Sequence, residues 1–181
     1  ITDLFDERLG GFAVVLGDVD GDGDLDAVIA NYANQINKLW LNNGSGVFID
    51  SNQNLGSGYT TDVLLGDLDG DTALDIFFVN NLGTDKVWLN IGSGVFTDRG
   101  QSPGNSHGTG GHLGDVDGDG DLDAISAGST DLWLNDGSGQ FTASTQTINT
   151  TTDVALGDLD GDGDLDLFLA RSTHVEVCTN D

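Results

Sequence analysis

The sequence predicts an all-β fold: a β-propeller of four blades, each built from four antiparallel strands. Three observations carry that expectation. A nine-residue Asp-rich segment recurs four times, and a Trp-bearing segment follows each of its first three copies. The apolar runs around these segments are only four or five residues long and are bounded by Gly and Asp, which suits strands and not helices.

The Asp segments read DVDGDGDLD from Asp18, DLDGDTALD from Asp67, DVDGDGDLD from Asp115 and DLDGDGDLD from Asp158, at intervals of 49, 48 and 43 residues. A period of this size marks propeller blades or helical arrays. Runs such as 13–16, 63–65 and 154–156 enter the Asp segments, and 27–30, 76–79 and 167–170 leave them. These are strands 1 and 2 of a unit, with the acids in the connection. LWLNNGSGVF from Leu39, VWLNIGSGVF from Val87 and LWLNDGSGQF from Leu132 then read as hairpins, strands 3 and 4, turning at dipeptides such as Asn43-Gly44 and Asp136-Gly137. The units span about 11–54, 59–101, 109–146 and 152–181 of a single domain, 1–181, with 1–4 belonging to the last.

The ends suggest how the units close. Ile1-Thr2-Asp3 aligns with Phe48-Ile49-Asp50 and Phe96-Thr97-Asp98, so it reads as a fourth strand without its unit. Residues 174–178 align with the Trp-bearing strand, so the last unit lacks a fourth strand. The expectation is a four-bladed ring closed by the N-terminal strand, which removes exposed sheet edges. An arc of a larger ring and half of an eight-bladed homodimer remain alternatives.

Composition agrees with strands and turns. The chain has 28 Gly, no Met, two Glu and five Lys plus Arg. The formal net charge is -26, and 19 of the 31 acids lie in the four Asp segments. Acid this dense between apolar strands needs counter-ions, and four divalent cations would supply them. The charge excludes nucleic acid and anionic membrane surfaces as partners. Cys178 is the only cysteine, so no internal disulfide is expected, and Cys/His zinc patterns are absent. No apolar stretch approaches 18 residues, so no membrane-spanning helix is expected. The first residue is Ile1, as in a mature or trimmed chain, and no leader peptide is evident.

Within each Asp segment, the acids at positions 1, 3, 5 and 9 can converge, because alternate residues of a tight loop point the same way. They are Asp18, Asp20, Asp22 and Asp26; Asp67, Asp69, Asp71 and Asp75; Asp115, Asp117, Asp119 and Asp123; and Asp158, Asp160, Asp162 and Asp166. Position 7, occupied by Asp24, Ala73, Asp121 and Asp164, would offer its backbone carbonyl. An all-oxygen shell rich in carboxylates suits Ca2+, about one ion per blade. The second loop departs from the rest: Thr72 replaces Gly and Ala73 replaces Asp. A backbone ligand tolerates Ala, but a β-branched residue resists a left-handed conformation, so this loop is expected to bind more weakly. An EF-hand is excluded, since its twelfth position requires Glu and holds Ile29, Phe78, Ser126 and Leu169 here.

These loops, each preceded by a Gly-Asp step (Gly17-Asp18, Gly66-Asp67, Gly114-Asp115, Gly157-Asp158), resemble the FG-GAP/VCBS repeat family over essentially the whole chain. That family includes the propellers of integrin alpha subunits and many bacterial surface proteins. The resemblance implies Ca2+ in a DxDxDGxxD-type loop between the first two strands of each blade. Clear FG and GAP tripeptides are missing and the repeats are short, so the chain looks closer to the bacterial or lectin-like branch. The family also includes propellers attached to polysaccharide-degrading enzymes.

In such a blade the Ca2+ loops and the NGSG-type turns share one face. The opposite face carries connections that vary between repeats, and variable loops on a rigid scaffold are where function concentrates. Tyr32, Tyr59, His107 and Arg171 are the candidate ligand-binding residues there. Trp40, Trp88 and Trp133 recur at one blade position, the pattern of packing core and not of a sugar platform, and Glu176 takes that position in the last repeat. His112 aligns with Val15, Leu64 and Ala155 and reads as a near-axis residue, not a base. Asp62 and Asp153 read equally as axis-lining or strand-start residues. The expected activity is binding or adhesion outside the cell, to carbohydrate or a protein, because no nucleophile–base pair or phosphate loop is evident. A polysaccharide-acting enzyme or accessory domain, and a structural segment of a large surface protein, are the other readings.

Overall fold

The fold comes from a computed structural model that describes residues 11–104, 107–128, 131–146 and 148–180. Every regular element among them is a β-strand. Sheet one comprises β1 (Gly11–Gly17), β2 (Asp26–Asn31), β4 (Lys38–Asn42) and β5 (Phe48–Asp50), in that spatial order. Sheet two runs β7 (Thr60–Gly66), β8 (Asp75–Asn80), β9 (Lys86–Asn90), β10 (Phe96–Asp98). Sheet three runs β11 (Gly111–Gly114), β12 (Asp123–Ser126), β13 (Asp131–Asn135), β14 (Phe141–Ala143). Sheet four holds β15 (Asp153–Gly157), β16 (Asp166–Ala170) and β17 (Val175–Cys178). The short β3 (Gln35–Ile36) and β6 (Ser57–Gly58) pair with each other.

All pairings are antiparallel, and each of the four sheets is a meander with the Asp segment joining its first two strands, β3 alone leaving sheet one to pair with β6. The register repeats as well. The Gly that ends strand 1 always faces the position-9 Asp: Gly17 with Asp26, Gly66 with Asp75, Gly114 with Asp123, Gly157 with Asp166. The expected closing strand, Ile1-Thr2-Asp3, lies outside the described residues, and no closed ring is seen among those described.

The core is divided into three slabs, one between each successive pair of sheets. Period-2 alternation divides single strands between slabs. In β8, Ile76 and Phe78 join the slab shared with sheet one, whereas Phe77 and Val79 join the slab shared with sheet three. Every residue of β8 is therefore buried. Trp88 and Trp133 pack against these slabs, in keeping with a packing role.

Three linkages recur between sheets. The Asn ending strand 3, or two residues past it in sheet four, donates from Nδ2 to the position-2 carbonyl of the preceding sheet: Asn90 to Val19 at 2.7 Å, Asn135 to Leu68 at 2.9 Å, Asn180 to Val116 at 2.7 Å. A Gln three residues past strand 4 clamps the next sheet's fourth strand. Gln53 donates to Gly94 O and accepts from Phe96 N, and Gln101 does the same with Gly139 O and Phe141 N. The Gly closing strand 1 receives two leucines of the next sheet. A Cβ at Gly17 would stand 2.7 Å from Leu65 Cδ1 and 2.9 Å from Leu74 Cδ1, and Gly66 and Gly114 are closed off in the same way.

Cys178, not Glu176, occupies the Trp position: Cys178 pairs with Leu167 as Trp40 pairs with Ala27 and Trp133 with Ala124. The register is set by Asn180, whose N–H donates to Asp166 Oδ1 as that of Asn42 does to Asp26 Oδ1. Glu176 instead accepts from Arg171 Nε at 2.7 Å.

Candidate metal centre

The Asp loops are shaped by their own backbone. In the first, Asp18 Oδ1 accepts from Gly21 N at 2.8 Å and Oδ2 from Gly23 N at 3.0 Å, which winds the chain around the position-1 carboxylate. Position 3 accepts from position 5, and position 5 from position 7: Asp22 N to Asp20 Oδ1, Asp24 N to Asp22 Oδ1. The third loop repeats this winding at Asp115, Asp117 and Asp119. The fourth keeps the position-4 bond to Asp158 Oδ1 and the bonds to Asp160 and Asp162, without the position-6 bond. Such a path requires positive φ at position 6, found at Gly23, Gly120 and Gly163.

In the second loop that position is Thr72, held at φ 75°. Its N–H still reaches Asp67 Oδ2 at 2.9 Å, and Asp69 and Asp71 keep their contacts. The loop preserves its shape with a β-branched residue in the left-handed region, at a cost of about 1–2 kcal/mol.

The position-9 acids have a further role that spacing did not reveal. Each is fully buried and accepts two backbone N–H donors, one per oxygen. Asp26 takes Val19 N and Asn42 N; Asp75 takes Leu68 N and Asn90 N; Asp123 takes Val116 N and Asn135 N; Asp166 takes Leu159 N and Asn180 N. They tie the loop to the third strand. The Asn that follows each LWL or VWL triplet was the available signal.

Carboxylate oxygens converge within 4.8 Å of one another in all four loops. The sets are Asp18, Asp20 and Asp22; Asp67, Asp69 and Asp71; Asp115, Asp117 and Asp123; Asp158, Asp160 and Asp166. Positions 1 and 3 contribute everywhere, position 5 in two loops and position 9 in the other two. Position 7 joins none of these sets. The carboxylates of Asp24 and Asp121 lie instead over the turn glycines Gly44 and Gly137, while Gly92, opposite Ala73, has open space.

Convergence has an electrostatic consequence. Desolvation, reinforced by neighbouring carboxylates, raises the acids Asp20, Asp69 and Asp160 above the usual range. Desolvation raises Asp75 to about 6 despite its two N–H donors. Among the described basic side chains, Lys38 pairs with Asp50, Lys86 bonds Ser102 and Arg171 pairs with Glu176, whereas the charge of Arg99 partly offsets the rise at Asp69. Clustered carboxylate oxygens of this kind fit a hard divalent cation.

The other candidates lie elsewhere. Tyr32 and Tyr59 meet edge to face at 5.0 Å, and Phe12 stacks on Tyr32 at 5.4 Å. His107 is exposed at φ 96°, its N–H on Asn81 O. Arg171 also bonds Thr150 O. These four residues are distributed over three sheet junctions and do not form one pocket. His112 is exposed and faces Ile125 across the pairing. Asp62 Oδ2 accepts from Gly111 N at 3.0 Å, joining sheets two and three.

Residues 18–78, 67–126 and 124–169 each match the family described as FG-GAP-like repeat. The chain belongs to the FG-GAP-like repeat family. No curated protein matches the sequence. The V. cholerae biofilm matrix protein Bap1 shares the fold at 18% identity and a TM-score of 0.54, over 87% of this chain and 23% of Bap1. The Photorhabdus luminescens Tc holotoxin pore does so at 18% identity and 0.54, over 91% of this chain and 9% of that one. The chain thus spans less than a quarter of either protein.

Proposed function

We propose that this chain is a calcium-stabilised propeller segment that serves as a binding or adhesion module of a larger protein outside the cell. The observation that carries the reading is the fourfold convergence of carboxylates in loops of one shape. Positions 1, 3, 5 and 9 would hold the ion, and Ca2+ would neutralise charge that otherwise opposes the fold. The four sheets are the blades, stacked through repeating linkages. Family membership and the extracellular character of a biofilm matrix protein support the location. Millimolar calcium outside cells matches the modest affinity of such modules.

An ion that binds only the folded state stabilises it, by about 1.4 kcal/mol per site at ten times Kd. Melting in millimolar Ca2+ and in excess chelator should therefore differ by many degrees, and calorimetry should count the sites. Identical melting curves would sink the calcium reading.

A carbohydrate or protein ligand is assigned to the face bearing Tyr32, Tyr59, His107 and Arg171, supported by the aromatic contacts of Tyr32. A glycan array probed with the parent and with the fourfold alanine variant tests it. Undiminished binding by the variant rules that face out.

A further inference from the structure

The Asn at the end of the third strand joins two Asp loops, its own and that of the sheet before. The Asn90 N–H donates to Asp75 Oδ1 at 2.7 Å, and its Oδ1 accepts from Gly92 N at 3.0 Å. Its Nδ2 donates to Leu74 O of the second loop at 3.2 Å and to Val19 O of the first at 2.7 Å. Asn135 repeats the arrangement one sheet on. Its N–H lies on Asp123 Oδ1, and its Nδ2 on Leu122 O of the third loop and Leu68 O of the second.

The peptide that each Asn grips lies inside the candidate ion site. Val19 and Leu68 are position 2 of the first and second loops, between the acids at positions 1 and 3. The Val19 carbonyl shares a rigid peptide plane with the N–H of Asp20. The Val19 N–H donates to Asp26 Oδ2, and the Leu68 N–H to Asp75 Oδ2. Position 2 is thus pinned from both sides, by the position-9 acid of its own loop and by the next sheet's Asn. An unbroken run of bonds results, from Asp26 through Val19 to Asn90 and Asp75, then through Leu68 to Asn135 and Asp123. Every residue on it is buried, so water does not compete for its bonds. The second loop stands in the middle of the run, and it is the loop that holds Thr72 at φ 75°.

We infer that Asn90 and Asn135 are positioning residues that make calcium binding cooperative between neighbouring loops, so that the strained second loop depends on the first and third. An ion in the first loop draws Asp18, Asp20 and Asp22 together and fixes the Val19–Asp20 peptide between them. Val19 O then holds Asn90 where its N–H meets Asp75 and its Nδ2 meets Leu74 O. The second loop is ordered before its own ion arrives, which is positive coupling without a change of fold. Repulsion between ions acts at the exposed loop tips, where salt screens it beyond about 8 Å under physiological conditions; the buried bonds are not screened. Four independent sites would satisfy the calcium reading on which this rests, so the coupling is a separate claim.

The test is a site-resolved NMR titration with Ca2+ at physiological salt. The amides of Gly21, Gly70 and Gly118 each donate to the position-1 acid of their own loop and report the three sites separately. In the parent, the second loop should fill with a Hill coefficient above one. Asp22→Asn removes a charge from the first loop while keeping an acceptor for Asp24 N. It should weaken the second loop about five-fold or more in the parent, and leave it unchanged in the Asn90→Ala background. Asp119→Asn with Asn135→Ala repeats the cycle from the third loop, and the Asp→Asn arms stand even where an Asn→Ala variant does not fold. A purely structural Asn would lower the melting temperature and leave each cycle additive. Additive cycles, or loops that fill independently in the parent, overturn the inference and leave the calcium reading standing. A parent that binds no calcium overturns both.

Discussion

Sheet two and sheet four are built from nearly the same sequence pattern but differ in what covers them. Strand β8 is buried at all six residues, since sheets one and three take its two faces. In β16, Leu167 and Leu169 are buried against sheet three while Phe168 between them is exposed. An apolar residue in this fold therefore draws its stabilisation from the neighbouring sheet. In a stack of repeats, position in the array sets the value of each contact.

The largest effect should come from the matched pair Phe77 and Phe168. Phe77→Ala leaves a cavity between two sheets and should cost about 3–5 kcal/mol. Phe168→Ala should cost less than about 1 kcal/mol. Urea titrations measure both, and equal losses would break the comparison.

Asp85 gives the next effect. It stands where sheet one has Asn37, and both accept an N–H at 2.8 Å, from Asn80 and Asn31 respectively. Burial beneath sheet three raises the Asp85 carboxyl from 3.8 to about 7. A raised acid contributes its stability fully below the unfolded value, and that contribution is lost as pH rises through about 7. Asp85→Asn, copying sheet one, should remove that pH dependence and stabilise the protein at pH 8 by about 2–4 kcal/mol relative to the parent. Parallel denaturation curves for parent and variant between pH 5 and pH 8 would contradict the assignment.

The smallest effect concerns the second loop. Thr72→Gly relieves a left-handed β-branched residue and should tighten calcium at that loop a few-fold, about 1 kcal/mol. The same exchange in reverse, Gly120→Thr, should weaken the third loop by a similar amount. Calorimetric titration resolves both, and no change in either site would show that the strain is not coupled to the ion.

The sequence by itself determined the repeat, the meander within each sheet and the acid loops, because those are local: nine residues fold around Asp18 through contacts no more than seven positions apart. It also marked Thr72 as the misfit, since positive φ is a property of one residue. Tertiary structure decided the rest. The double use of Asp26, Asp75, Asp123 and Asp166 depends on third-strand N–H groups 12–16 residues away. The place of Cys178 was hidden because the aromatic marker is lost there, and only the bonds of Asn180 to Asp166 and to Val116, 64 residues earlier, fix the register. Which apolar residues are buried follows from the sheets on either side, and a repeat pattern that looks the same in every unit contains no record of which unit stands at an end.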